Sequence, residues 1–249
     1  MIGFELSGVT KTYGETTVLD HIDLSIEPGE FLVLLGRSGC GKSTLLELMA
    51  GLRTTSTGTI HLGQERITGP HQKIGVVFQD SSLYPWRTVA RNVELGLEMA
   101  GTPKAKRREL ARAQLDLVGL PEVAQQYPHQ LSGGMRQRVG IARALALQPE
   151  VLLMDEPFGA VDHLTRLQLQ RDLLHLWSTE RRTIVFVTHD VTEALLLADR
   201  IVLLAPGPGH IAATWRISQE RPREPDALRT VHAEIHEHLG VPQTVKGIG

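Results

Sequence analysis

The chain has 249 residues, 41% hydrophobic and 22% charged, which fits an ordinary globular protein of one large domain or two small ones. A formal net charge of −2, from 26 basic and 28 acidic residues, gives no electrostatic reason to expect DNA or RNA as a main partner. Cys40 is the only cysteine, so no internal disulfide is possible and the chain reads as intracellular; no apolar run nears the roughly 20 residues that cross a bilayer.

The opening "MIGFELSGVT" lacks the charged and apolar regions of a signal peptide, so any membrane role is expected to come through a partner. "FELSGVTKTY" and "TVLDHIDLSIEPGE" partly alternate in polarity and end in a Pro-Gly turn, which predicts an antiparallel accessory sheet. The runs "FLVLLG" (31–36), "IGVVFQ" (74–79), "VLLMDE" (151–156), "TIVFVT" (183–188) and "RIVLLA" (200–205) are short and nearly continuously apolar. Such runs belong to strands covered on both faces, and helix-length segments separate several of them. The prediction is an α/β fold with a mostly parallel sheet. From about 88 to 148 no strand pattern appears. "TVARNVELGLEMAG" and "PKAKRRELARAQLDLVGL" predict two helices, each closed by glycine, and a third starts near Ser132. The sheet is therefore expected to carry a helical insertion. "APGPGH" (205–210) predicts a hairpin turn, and "QERPREPD" (219–226) a Pro-rich connector. Residues 1–222 form the main domain in this reading, and 223–249 a short last helix with a polar tail.

"GRSGCGKST" (36–44) fits G-x-x-x-x-G-K-[ST] between a strand and a helix, the context that motif requires. Gly36, Gly39 and Gly41 let backbone N–H groups converge on an anion, with Arg37, Ser38 and Cys40 filling the loop. The helix that follows contributes its positive N-terminal end. Lys42 is expected to reach the β- and γ-phosphates, and Ser43, ahead of Thr44, to offer its hydroxyl to Mg²⁺. "VLLMDEP" ends a buried strand at Asp155, on the edge where ligands of open parallel sheets gather. Asp155 would hold Mg²⁺ through water, and Glu156 would face the attacking water. His189, in "VFVTHD", ends another strand and would either polarise the γ-phosphate or orient that water. In "QLSGGMRQRVGIARAL", Ser132 can cap a helix whose apolar positions Met135, Val139, Ala142 and Ala146 share a face. Alone, this second glycine-led helix start is a weak anion site, and an ordinary capped helix explains it equally.

Taken together, these residues resemble the ATP-binding cassette (ABC) ATPases from about Phe4 to about Ile217. Six motifs stand in the family's order: the phosphate loop, Gln79 in "VVFQD", the signature "LSGGMRQR", "LLMDEP", "FGAVD" and "THD". The resemblance implies a P-loop NTPase core with an N-terminal antiparallel β subdomain and an inserted α-helical subdomain, taking ATP and Mg²⁺. It implies that Tyr13 stacks on adenine, with packing at a sheet edge as the alternative. Gln79 would bind Mg²⁺ or the lytic water and report nucleotide state to a membrane partner. Glu156 would be the general base, and Asp162 would lie in a loop crossing a dimer interface. Leu131, Ser132, Gly133, Gly134 and Gln137 would contact ATP held by the other subunit of a homodimer. The "PW" pair at Pro85–Trp86 and the "PGPG" turn are most similar to importer ATPases for nitrate, sulfonates and taurine. That branch implies integral membrane permease subunits, reached through Tyr84, Pro85 and Trp86, and indirectly a solute-binding protein. It implies a place on the cytoplasmic face of the cell membrane.

Against the branch pattern, Arg37 replaces a common proline and is expected to face solvent. Val161 replaces a leucine, and Cys40 is read as a small filler rather than a redox switch. An export ATPase, a non-transport ABC ATPase and a P-loop kinase are the alternatives. The last two leave either the single cassette without a coiled-coil insertion, or the signature helix, unexplained. "KAKRREL" (104–110) is read as a solvated helix face. His232 and His236 have i, i+4 spacing and could bind a metal with His238 nearby, but no further ligand pattern supports that reading.

Overall fold

In the computed structural model, which describes residues 1–159, 161–223 and 228–240, two sheets stack with helices around them. The first sheet is antiparallel: β1 (Phe4–Tyr13), β2 (Thr16–Ile26), β4 (Thr57–Leu62) and β5 (Glu65–Arg66), in the order β2-β1-β4-β5. The second holds β3 (Phe31–Leu35), β6 (Ile74–Val77), β7 (Val151–Asp155), β8 (Thr183–Thr188), β9 (Arg200–Ala205) and β10 (His210–Arg216). Its order is β10-β9-β3-β8-β7-β6, parallel except for β10, which closes a hairpin on β9. All five apolar runs expected as buried strands are strands of this sheet.

The period of two explains why those runs carry no alternation. Phe31, Val33 and Leu35 of β3 point into one core, while Leu32 and Leu34 point into another. The same split holds for Leu152 and Met154 against Val151 and Leu153 in β7, and for Ile184 and Phe186 against Val185 and Val187 in β8. One face of the sheet receives α1 (Lys42–Met49) and the antiparallel sheet. The other receives α6 (His163–Glu180), α7 (Val191–Leu197) and the C-terminal α8 (Arg229–His238). β3, β7 and β8 are thus apolar on both sides.

Between β6 and β7 the chain builds a small helical layer from α2 (Val89–Val93), α3 (Leu95–Met99), α4 (Lys104–Leu117) and α5 (Gly133–Leu145). It has its own core, including Val89, Val93, Leu97, Ala111, Leu115, Val139, Ala142 and Ala146. The single helix expected over 88–101 is instead two short ones. They meet at Glu94, which keeps helical angles (φ −65°, ψ −16°). Glu94 is buried with its carboxylate 3.7 Å from Arg107 of α4, so the junction is fixed by tertiary packing that local pattern does not encode. α5 joins the two layers. Val139 and Ala142 face the helical core while Ile141 and Leu145 face the sheet's core. The connector at 224–227 and the tail at 241–249 lie outside the described residues.

Candidate functional site: a phosphate loop at the carboxyl edge of the sheet

Register brings the scattered motifs together. Leu35 of β3 is paired with Thr188 of β8, and Asp155 of β7 with Val187. The loop after β3, the Asp155–Glu156 pair and His189 therefore leave the sheet side by side at one edge. Gln79, two residues beyond the end of β6, emerges at the same edge and is exposed.

The loop from Gly36 to Gly41 turns on two left-handed glycines, Gly39 (φ +82°) and Gly41 (φ +96°). At Gly36 closeness matters instead, since a Cβ there would lie 2.5 Å from the Leu204 carbonyl oxygen. Cys40 is buried behind the loop, as a filler would be, and burial pushes its thiol pKa up. Arg37 faces solvent. Helix α1 starts without a side-chain cap, whereas Thr88, Ser132, Asp162 and Asp190 cap α2, α5, α6 and α7. Its first N–H groups are left for an anion. Lys42 is buried, and its Nζ lies across the loop, donating to the carbonyls of Gly36 (2.8 Å) and Arg37 (3.1 Å). Ser43 is exposed and Thr44 half-buried on the first turn.

Asp155 lies beside this turn. Burial raises its carboxyl pKa above the usual aspartate range, while the Ser43 hydroxyl and the Lys42 charge pull it back down. Its Oδ1 is buried without a hydrogen-bond partner. An acceptor left in this way beside a serine hydroxyl fits a hydrated divalent cation. Glu156 has φ +40°, the left-handed region that a side chain with a Cβ rarely adopts, and its N–H donates to Val187 O at 3.1 Å. This backbone turns the carboxylate out of the strand line, with Oε2 3.1 Å from His189 Nδ1. His189, with Gly36, Arg37 and Ser38, lines a cavity of about 810 Å³.

The ABC transporter family model matches residues 19–159, spanning the phosphate loop, the signature segment and the Asp155–Glu156 pair. The chain belongs to the ABC transporter family. A putative ATP-binding protein of Brucella abortus (strain 2308) is 49% identical over 223 residues, covering 90% of this chain and 85% of the relative. The taurine import ATP-binding protein TauB of Escherichia coli (strain K12) is 49% identical over 207 residues, covering 83% and 81%. Among solved structures, the dimeric post-hydrolysis state of the ATP-binding cassette MJ0796 with ADP and Pi superposes with a TM-score of 0.78. It is 33% identical, and the match covers 87% of this chain and all of that one. The chain is an ABC cassette that binds nucleotide and hydrolyses ATP.

The cassette's second glycine-led helix start is built as a capped N-terminus. Ser132 Oγ accepts from Met135 N–H at 3.2 Å, and Leu131 is buried beneath it. Gly134 is required by closeness, because a Cβ there would lie 2.9 Å from Thr165 Cγ2. Thr165 in turn donates to Asp162 through N–H (3.1 Å) and hydroxyl (2.6 Å), which holds that carboxyl below the usual range. Gly134 and the segment around Asp162 thus abut. Gln137, expected at the partner's ATP, is engaged within its own chain. It is buried, and its amide donates to Phe78 O at 3.3 Å, because a helical turn past Gly134 faces inward. Tyr13 is 40% exposed, with Lys11 Nζ at 4.8 Å and Arg53 Cζ at 5.5 Å from its ring centroid. Both cations lie over the ring, so a base stacking on Tyr13 would have to share or displace them.

Two supporting groups escape motif reading. Arg143, also on α5, donates to the carbonyls of Ser81 and Ser82, both at 2.8 Å. With Gln137 it ties the signature helix to the loop carrying Gln79. Glu193 is buried and accepts from the Thr188 hydroxyl (2.7 Å) and the Gln170 amide (3.2 Å), with Arg166 Nε 3.7 Å away. Burial raises its pKa. That network, with Asp190 capping α7, fixes the turn that presents His189. The Arg143 and Gln170–Glu193 bonds span more than twenty positions, so no local spacing announces them. Beside the Gln79 loop, Tyr84 and Trp86 are exposed with centroids 5.2 Å apart, and buried Asn92 holds the loop by Tyr84 N–H (2.7 Å) and three carbonyls.

Proposed function

We propose that this cassette is the ATP-hydrolysing subunit of an importer for a small sulfonate-type anion, acting as a head-to-tail homodimer on membrane permease subunits. The observation carrying the catalytic reading is the shared edge of Gly36–Thr44, Asp155, Glu156 and His189, with Glu156 Oε2 and His189 Nδ1 3.1 Å apart. The N–H groups of the loop and of α1 would grip the phosphates, and Lys42 would exchange its loop carbonyls for phosphate oxygens. Asp155, Ser43 and Gln79 would hold Mg²⁺, which supplies charge neutralisation for the β- and γ-phosphates. Glu156 would take a proton from the attacking water, and His189, oriented by Glu156, would donate to the γ-phosphate or steer that water.

Ser132, Gly133 and Gly134 are proposed to face the γ-phosphate in the partner's loop, with Asp162 crossing between subunits. A two-fold axis then makes two equal sites. The dimeric form of the MJ0796 cassettes supports the pairing. Kinship with TauB supports the importer branch and, through it, a permease and a solute-binding protein. The same kinship supports a peripheral place on the cytoplasmic face of the membrane, and no helix among the described residues is long and apolar enough to cross it. The exposed Tyr84–Trp86 pair is the proposed contact toward a permease. Because closure adds contacts only when ATP is bound, its differential affinity can drive a two-state switch.

Glu156→Gln tests the chemistry. Turnover is expected to fall by roughly 100-fold or more, as for loss of a general base, with ATP binding retained and a dimer trapped on ATP. A monomeric variant with wild-type turnover would contradict the mechanism.

A further inference from the structure

Helix α8 carries a feature the nucleotide reading does not use. His232 and His236 stand one turn apart, half-buried, with Nε2 atoms 3.2 Å from each other and ring centroids at 4.4 Å. Two imidazole nitrogens at roughly 2.0–2.1 Å from one tetrahedral ion would be about 3.3 Å apart. One Nε2–H donates to the other Nε2 at a separation that already matches the chelating spacing, so an ion would take the place of the shared proton. The helix is fixed from below by Ile235, which is fully buried in the main core. Both histidines line the 810 Å³ cavity that also carries Gly36, Arg37, Ser38 and His189.

We propose that His232 and His236 form a bidentate site for a borderline divalent transition ion of the Zn²⁺ or Ni²⁺ class, distinct from the Mg²⁺ site at Asp155. Imidazole nitrogen favours such ions, while Mg²⁺ demands oxygen ligands. Among the described residues, no third His, Cys, Asp or Glu stands close enough to join the pair in holding an ion. Water completes the coordination. His238 takes no part. Its Nδ1 lies 2.9 Å from Glu234 O and its ring sits edge-on to Trp215, on another side of the helix. An ion at the pair would add positive charge to the cavity that holds the phosphate loop.

The test is calorimetric titration of the full chain with ZnCl₂ in buffer without nucleotide. The wild type is expected to bind one Zn²⁺ that His232→Gln/His236→Gln lacks. Each single variant is expected to weaken that ion by roughly 100-fold, nearly as much as the double, because chelation needs both rings. Millimolar Mg²⁺ should not displace it, and His238→Gln and Lys42→Ala should retain it. Equal Zn²⁺ stoichiometry and affinity in wild type and double variant would overturn the proposal. Should the variants misfold, ¹⁵N imidazole spectra of the unaltered protein decide it. Zn²⁺ should shift two histidines of the chain together, and titration with no paired shift would overturn it.

Discussion

Asp155, proposed to hold Mg²⁺, sets that role against stability at a single residue. Its Oδ1 is buried and unpartnered, and burial raises its pKa. A carboxyl whose folded pKa is raised stabilises the fold most below the unfolded value, about 3.9 for aspartate, and loses that contribution as pH rises through the folded pKa. At neutral pH the nucleotide-free protein therefore carries a cost that a cation would relieve. Asp155→Asn is expected to raise the nucleotide-free thermal midpoint at neutral pH by about 2–4 °C per kcal/mol of relieved penalty. The gain should shrink toward acidic pH, and Mg²⁺-dependent turnover should be lost. Thermal melts of both proteins across that pH range check the sign; a variant less stable than wild type at neutral pH would count against it. Residues 36–44 and 155–156 are legible in the sequence because phosphate and metal chemistry admits few residue types at those spacings. Lys42's bonds to the Gly36 and Arg37 carbonyls are not legible, since any neighbouring carbonyl has the same sequence signature: none.

Helix α5 carries the coupling at the scale of elements. Ser132 caps its start, Gln137 grips Phe78 O, and Arg143 grips Ser81 O and Ser82 O. Under the proposed function, these bonds would pass a shift of the signature end to the loop that bears Gln79, Tyr84 and Trp86. Arg143→Ala removes two hydrogen bonds from a charged donor, which is expected to cost about 1.5–3 kcal/mol in denaturant unfolding. Nucleotide affinity should stay within about twofold while turnover falls roughly tenfold, because Arg143 lies outside the phosphate loop. Unchanged turnover with the expected loss of stability would reduce the tie to a purely structural one. The apolar stripe of α5 is readable from Val139, Ala142 and Ala146. Its second buried face, at Ile141 and Leu145, is not, because it exists only where the helical layer meets the sheet. The same holds for the break at Glu94, set by Arg107 from another helix.

For the whole molecule, the central claim is that one chain carries two halves of different sites. Gly36–Ser38 and His189 wall one cavity, while Gly134 sits against α6 and neither it nor Ser132 lines that cavity. The strand runs and their split between two cores make the sheet legible from hydrophobic pattern alone. Assembly is not legible that way, because a capped helix start looks the same whether it faces solvent or a partner's phosphate. A mixed dimer resolves it, with Lys42→Ala in one subunit and Ser132→Arg in the other. If the sites form between subunits, both lesions fall in the same site and the other site is whole. The account predicts that this heterodimer keeps up to about half the wild-type hydrolysis, where either homodimer of a single lesion is inactive. A heterodimer as inactive as those homodimers would mean that Ser132 serves its own subunit's ATP, and would contradict the account.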